Sequence, residues 1–248
     1  MPDAGLYGLL GSLFFVNGEY LNAGIALKKA DVLAPLPPEQ RFTLAMCYVL
    51  LKTPAKARAE LERLASEFPR DSKYIYWLGR LDYDAQHFSA ALSWFHAAVK
   101  IDSGNVRAHD NIGLSYEALG QNEEAIRSYT TAVKLNKTAA VCSPWPPHNL
   151  ASLLRKLSRF EEAWGNAQEA LRCDPDFARG HHILGLLLER GNRLDEAIAS
   201  LRRAVESEPS YADAHYVLAR LLQRSGKTAE AALQFKAFEK LKAAQQRK

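Results

Sequence analysis

The groups in this 248-residue chain with the intrinsic chemistry for catalysis or metal binding are seven histidines, three cysteines and a few adjacent carboxylates. His109, His181 and His215 recur at intervals of 34 residues, or a multiple of that plus an insert of four. A catalytic constellation draws its members from unlike positions, whereas a residue that returns with a fixed period marks a packing position; these histidines are expected to be half-buried and structural. His181 and His182 are neighbours, and neighbours on a helix do not share a face. Glu123-Glu124 and Glu161-Glu162 fall at equivalent places, at helix starts where carboxylates complement the dipole. Cys47, Cys142 and Cys173 are an odd number without a C-x-x-C pair, which argues against a disulfide framework or zinc site and fits a reducing compartment. Cys47, beside Tyr48, reads as a small buried hydrophobe. The glycines occupy turn and packing positions, so no G-x-x-x-x-G-K or G-x-G-x-x-G phosphate loop arises. The chain is read as no enzyme, with no catalytic residue, no metal and no cofactor.

What the spacing does build is an array. Between Val106 and Ala139, Ile112, Gly113 and Tyr116 line one helix, Gly120 breaks it, and Ala125, Tyr129, Ala132 and Val133 line a second. The same helical hairpin returns in seven frames, 4–37, 38–71, 72–105, 106–139, 144–177, 178–211 and 212–245, with a four-residue insertion at 140–143. Position 20 is alanine in all seven frames: Ala23, Ala57, Ala91, Ala125, Ala163, Ala197 and Ala231. Position 8 is always glycine or alanine and position 7 always leucine or isoleucine. Antiparallel helices reach the short end of the roughly 8 to 10 Å axis separation only where small residues face each other beside a large aliphatic.

These residues resemble the tetratricopeptide repeat family. Its signature includes the 34-residue period, small residues at positions 8, 20 and mostly 27 (Ala30, Ala98, Ala132, Ala170, Ala204), aromatics at 11 (Phe14, Tyr48, Tyr116) and proline at 32 (Pro35, Pro69, Pro175, Pro209). Asp82, Leu154, Leu188 and Leu222 depart from it at position 11, and Leu64 and Phe238 at position 27. The resemblance implies an all-α, right-handed superhelical solenoid of antiparallel hairpins occupying residues 1–248 as one domain. It also implies a protein-interaction scaffold that holds an extended peptide or partner helix in a concave groove. In the family, helix A positions 2, 5, 9, 12 and 13 build that groove. Here repeats 1 and 2 place largely apolar residues there, including Phe15, Val16, Phe42 and Met46. Repeats 3 to 7 place Lys73, Tyr76, Arg80, Tyr83, Arg107, His148, Arg155, Arg179, His182, Tyr216 and Arg220 on it, with Lys156, Arg190 and Arg224. Nine cations stand there against five acids, Asp84, Asp110, Glu117, Glu189 and Asp213. Interleaved arginine and tyrosine suit acidic peptide segments, since guanidinium forks bind carboxylates bidentately and rings give rigid contact area; the bland alternative is a solvated wall. Asn111 and Asn149 occupy position 6, where superhelical family members use asparagine to bond a ligand's backbone amide; its side chain offers both donor and acceptor. The family's carboxylate-clamp pattern is not matched, because Trp77 stands where an arginine is required.

With 48% hydrophobic and 24% charged residues, the composition is that of an ordinary globular chain. A net charge of +4 is too mild for a dedicated nucleic-acid binder. No stretch reaches the roughly 18 to 20 apolar residues of a membrane span. Leu6 to Val16 lacks the preceding positive charge and cleavage site of a secretion signal and reads as helix A of repeat 1. A cytoplasmic location is expected, or an exported one if a signal has been removed upstream. Helix A of repeat 1 is apolar on all faces, and Phe235 and Phe238 are expected to be partly uncovered in the last helix, so self-association through either end stays open. Pro144, Pro146 and Pro147 predict a stiff loop and a fifth helix A beginning near Pro147, either as a tolerated insertion or as a device presenting Trp145 to a ligand. Two further readings remain: a substrate-recognition region of a larger enzyme such as a glycosyltransferase, and a structural oligomer built through repeat 1.

Overall fold

The computed structural model describes residues 3–246, and among them are fourteen helices and no strand. In chain order they are α1 (Ala4–Val16), α2 (Tyr20–Leu33), α3 (Pro38–Leu50), α4 (Pro54–Glu67), α5 (Ser72–Asp84), α6 (Phe88–Ile101), α7 (Val106–Ala118), α8 (Asn122–Lys137), α9 (Trp145–Lys156), α10 (Phe160–Cys173), α11 (Ala178–Arg190), α12 (Leu194–Ser207), α13 (Ala212–Arg224) and α14 (Thr228–Gln246). Odd helices are the A helices and even ones the B helices. The chain divides into two compact units, one ending at Gly120 and containing α1 to α7, the other beginning at Gln121 and containing α8 to α14.

All seven position-20 alanines are buried, none more than 3% exposed. The crossings they occupy leave no spare volume: a Cβ added at Gly79 would stand 2.7 Å from the Phe95 ring, and one at Gly185 would stand 2.7 Å from Leu201 Cγ. In the first unit the aliphatic core runs through Leu27, Leu44, Leu61, Leu64 and Leu78 to Phe95 and Ile112; in the second it gathers Leu188, Ile198, Leu201, Leu218, Leu221 and Leu222. Within the units, A helices of neighbouring hairpins also meet directly, α1 with α3, α5 with α7, and α9 with α11.

The recurrent histidines are structural. The Nε2–H of His109, His181 and His215 donates to the carbonyls of Ser103, Pro175 and Pro209 at 3.1, 2.8 and 3.1 Å, each six residues back, so position 4 ties helix A to the loop that precedes it. In repeat 2 the same position holds Arg41, only 2% exposed, whose two terminal nitrogens bond Asp31 on α2 at 2.9 Å and Glu60 on α4 at 2.8 Å.

α9 begins at Trp145, two residues earlier than expected. Pro146 and Pro147 lie inside its first turn, where a missing N–H costs nothing. The insertion before it folds back: buried Asn136 donates to Ser143 O at 2.8 Å and accepts from Ser143 N at 2.9 Å. That fold brings Cys142 against the end of α10, where it forms a disulfide with Cys173 across a Cα–Cα distance of 5.4 Å. The expectation that the cysteines argue against a disulfide is thereby corrected; the odd count concealed one pair and one free cysteine. Cys47 is that free thiol, fully buried, and its burial pushes its pKa up to about 11, which keeps it inert. Closing a loop with a sequence separation of 31 should stabilise the second unit by about 2 to 4 kcal/mol. Cys142→Ser with Cys173→Ser should therefore lower the urea midpoint under oxidising conditions and make it insensitive to reductant, and equal midpoints for variant and oxidised parent would refute the bond's contribution.

At the first hairpin the outer face of α1 is uncovered by any other described helix, leaving Leu6, Leu9, Leu13 and Val16 more than half exposed. At the last, Phe235 and Phe238 are half-buried against Tyr216, with ring centroids 6.2 and 5.2 Å away, and Leu233 remains exposed.

Candidate functional site

The thirteen residues expected on the inner wall fall into two groups, one in each unit. In the first unit, Tyr76, Arg80 and Asn111 form one internal network. Asn111 is 5% exposed; its Oδ1 accepts from Arg80 Nη1 at 2.7 Å, while its Nδ2 donates to Tyr76 Oη at 3.2 Å and to the Arg107 carbonyl at 2.8 Å. Both ends of the amide are engaged within the chain, so Asn111 here positions Arg80 and Tyr76. Arg80 also bonds Asp84 at 2.8 Å and lies over the Tyr83 ring at 5.3 Å. Burial raises the pKa of Tyr76 and of Tyr83, keeping both phenols neutral. Lys73 Nζ sits over Phe42 and Tyr74 at 4.7 and 4.8 Å, and Arg107 is exposed.

The second unit assembles the denser group, on α9, α11 and α13. Arg179 lies between two aromatic faces, 5.3 Å from the Trp145 ring and 5.1 Å from the Tyr211 ring, and its Nη1 bonds Glu208 at 2.6 Å. Trp145, His148 and Phe177 pack edge to face with centroid separations from 5.1 to 5.9 Å. Tyr211 Oη is 2.9 Å from His182 Nδ1; a hydroxyl donating there leaves the imidazole proton on Nε2. His148 Nδ1, Arg155 Nε and His182 Nε2 in this group are buried with no hydrogen-bond partner among the described residues. Each such atom costs roughly 1 to 3 kcal/mol, and native chains carry few of them. Burial, with the charge of Arg179 and then His182, lowers His148 to about 4. Burial also lowers His182 to about 4, with Asp213 opposing and Arg155 and Arg179 assisting. Both imidazoles are therefore neutral near pH 7, able to donate from one nitrogen and accept at the other.

Asn149 lies half-buried beside His148 on α9. Tyr216 is exposed on α13, and Arg220 bonds Glu189 at 2.6 Å, with Arg224 near the same carboxylate at 3.7 Å. Of the nine wall cations, Arg80, Arg220 and Arg224 pair with Asp84 and Glu189, acids already counted against them, and Arg179 pairs with Glu208, an acid outside that count.

Phe177 and Tyr211 belong to this site although they lie outside the five wall positions. Both are the residue immediately before helix A, the N-cap, where α5 and α7 use Asp71 and Asn105 side chains to bond the first-turn amides. α11 and α13 have no such side-chain bond. An absent cap typically costs about 1 kcal/mol, so aromatic rings in two successive cap positions were the available signal.

Tetratricopeptide repeat models match residues 52–106, 148–207 and 184–246, and another model of that name matches 106–139. Among curated proteins, the chain is 27% identical over 162 residues to BBSome complex member BBS4 of Mus musculus, covering 64% of this chain and 30% of that one. It is 32% identical over 111 residues to Protein O-mannosyl-transferase TMTC3 of Homo sapiens, covering 40% and 12%. The chain thus spans less than a third of the length of either relative. Among solved structures it is similar to Cut9 in the APC/C hetero-tetramer Cut9-Hcn1, with a TM-score of 0.73, 17% identity, and coverage of 89% of this chain and 43% of that one. The pilF structure of Pseudomonas aeruginosa gives a TM-score of 0.68 at 18% identity, covering 83% and 92%. YrrB, described as a TPR protein with an unusual peptide-binding site, gives 0.55 at 19% identity, covering 73% and 91%. At these identities the structures share the fold alone.

Proposed function

Since this chain belongs to the tetratricopeptide repeat family, we propose that it is a non-enzymatic scaffold that binds an extended peptide on the A-helix face of its second unit. The observation that carries the reading is the set of buried, unpartnered atoms on His148, Arg155 and His182, flanked by the Arg179 stack. A main-chain carbonyl or a carboxylate accepts from Arg155 Nε, and neutral imidazoles suit peptide amides, whose donors and acceptors alternate along an extended strand. Trp145 and Tyr211 supply rigid walls that lose little entropy on binding. Selectivity for acidic peptides is the finer part of this proposal.

Peptides selected for binding from a random displayed library provide the test. Arg155→Ala with Arg179→Ala should weaken the selected peptides about tenfold or more with unchanged helicity, and affinity should fall as salt rises if acidic residues are read. Unchanged affinity in the double variant would remove this face from consideration, and a flat salt response would remove the acidic preference.

The likeness to one stretch of an O-mannosyl-transferase favours a second reading, in which the same face presents polypeptide substrate to a catalytic domain. Location is part of the proposal too: the Cys142–Cys173 bond favours an oxidising compartment, the exported alternative.

A further inference from the structure

On the B-helix side of the first two hairpins, within the first unit, lies an exposed apolar trough. α2 and α4 with the α3–α4 turn wall a trough of about 840 Å³, floored by Leu21, Ile25, Val32, Leu33 and Leu51. These side chains are exposed, Ile25 at 49% and Val32 at 81%. Isolated apolar residues on a surface need no explanation, but five exposed aliphatics lining one trough, with Lys28 and Lys29 set between Ile25 and Val32, do.

The charge around this floor is one-sided. Lys28 and Lys29 rise from α2 and Lys56 from α4, so cations border both sides. Lys29 Nζ lies 5.5 Å from the Tyr7 ring and Lys56 Nζ 5.7 Å from the Tyr48 ring, and among the described residues neither charge has a carboxylate in ion-pair contact. Two acids on the same helices, Asp31 on α2 and Glu60 on α4, both bond buried Arg41. Arg41 thereby neutralises the local carboxylates and ties α2 to α4, fixing the spacing of the two walls before anything binds. Lys28 shares a carboxylate, at 3.0 Å from Asp31.

We propose that this trough binds an amphipathic partner helix that has an aliphatic stripe with Asp or Glu on both flanks. Two helices at fixed spacing present the groove that a third helix's ridge fills, the packing by which the solenoid itself is built. A free acyl chain would need an enclosed cavity, and this trough is open enough that Val32 is mostly in solvent. Acids on both flanks of the stripe meet Lys28 and Lys29 on one side and Lys56 on the other.

The probes are two helical peptides of 14 residues, the length of α2, with the same leucine stripe and either glutamate or lysine flanks, read by fluorescence anisotropy on the full chain. The glutamate peptide should bind about tenfold tighter than its twin, and Ile25→Asp with Val32→Asp should abolish that binding. Lys29→Glu with Lys56→Glu, which leaves every core residue in place, should reverse the preference between the peptides. Arg155→Ala with Arg179→Ala should leave it untouched, which separates this surface from the peptide face of the second unit. Equal affinity for the twins, or binding that survives the Ile25 and Val32 changes, would overturn the proposal. So would anionic phospholipid vesicles that bind through these same residues while the glutamate peptide does not.

Discussion

Arg41→Ala should destabilise the first unit by about 3 to 5 kcal/mol, because it removes the charge that joins Asp31 to Glu60 and leaves Glu60 without it while Asp31 keeps Lys28 alone. Arg41 bonds both Asp31 on α2 and Glu60 on α4, and it is almost fully buried. Hydrogen exchange should report the loss locally, as faster opening of α2, α3 and α4 with the second unit unchanged. The proton linkage has a definite sign. Burial pushes the Asp31 carboxyl up, but the Lys28 hydrogen bond and the Arg41 charge more than offset it and hold its pKa below the ordinary 3.8. A depressed carboxylate contributes stability that is present above its unfolded pKa and lost as pH falls through the folded one; the variant should lose part of that contribution. Adding Asp31→Asn and Glu60→Gln to Arg41→Ala should recover most of the stability, since neutral amides need no countercharge. A loss under about 1 kcal/mol for Arg41→Ala, or no recovery in the triple variant, would show that the three residues act as exposed ions.

The frame of this fold is legible in the sequence because close packing constrains it locally. Helices can cross near the minimum separation only where Ala23, Ala57, Ala91 and their counterparts recur, and all seven are buried. The histidines at position 4 are legible for the same reason, as a position with one repeated job. Arg41 escaped that reading although it stands at the same position, because its partners Asp31 and Glu60 lie in two different helices and share no repeat spacing. The turns conceal something too. Position 15 takes a left-handed backbone in every hairpin, with φ between 55° and 79°, yet only Gly18, Gly120 and Gly226 reveal it by residue type; Lys52, Gln86, Ser158 and Asn192 take it as well. The disulfide is invisible to spacing rules, since it depends on an insertion that folds back around Asn136. Residue types at the expected wall positions do not disclose how their side chains are used. Asn111 sits where a ligand-bonding asparagine is expected and yet spends its amide on Arg80, Tyr76 and Arg107.

Acid should weaken the second unit well before ordinary carboxylates titrate, and the cause is the pair of imidazoles in its candidate site. His148 and His182 have folded pKa values of about 4 against an ordinary 6.5. Between those limits the unfolded chain binds more protons than the folded one, so stability is full above about pH 6.5 and falls as pH drops toward 4. The charged groups facing the pair are Arg155 on α9, Arg179 on α11 and Asp213 on α13. Two arginines against one acid leave an imidazolium poorly accommodated. Each histidine is worth about 3 kcal/mol over the full window, which makes this the largest effect expected for the chain. Urea titrations at successive pH values should show it as a steep slope that His148→Gln with His182→Gln flattens. Carboxylates held low by arginine or lysine partners, such as Glu169 and Asp31, contribute their own loss at lower pH and survive in that variant. The same pair should report occupancy of the face, because a ligand carboxylate seated near Arg155 would favour the charged imidazole and move both titrations upward. Histidine proton resonances that titrate near 6.5 without ligand would mean that the group is open to water, and the unpartnered atoms would then lose their significance for binding.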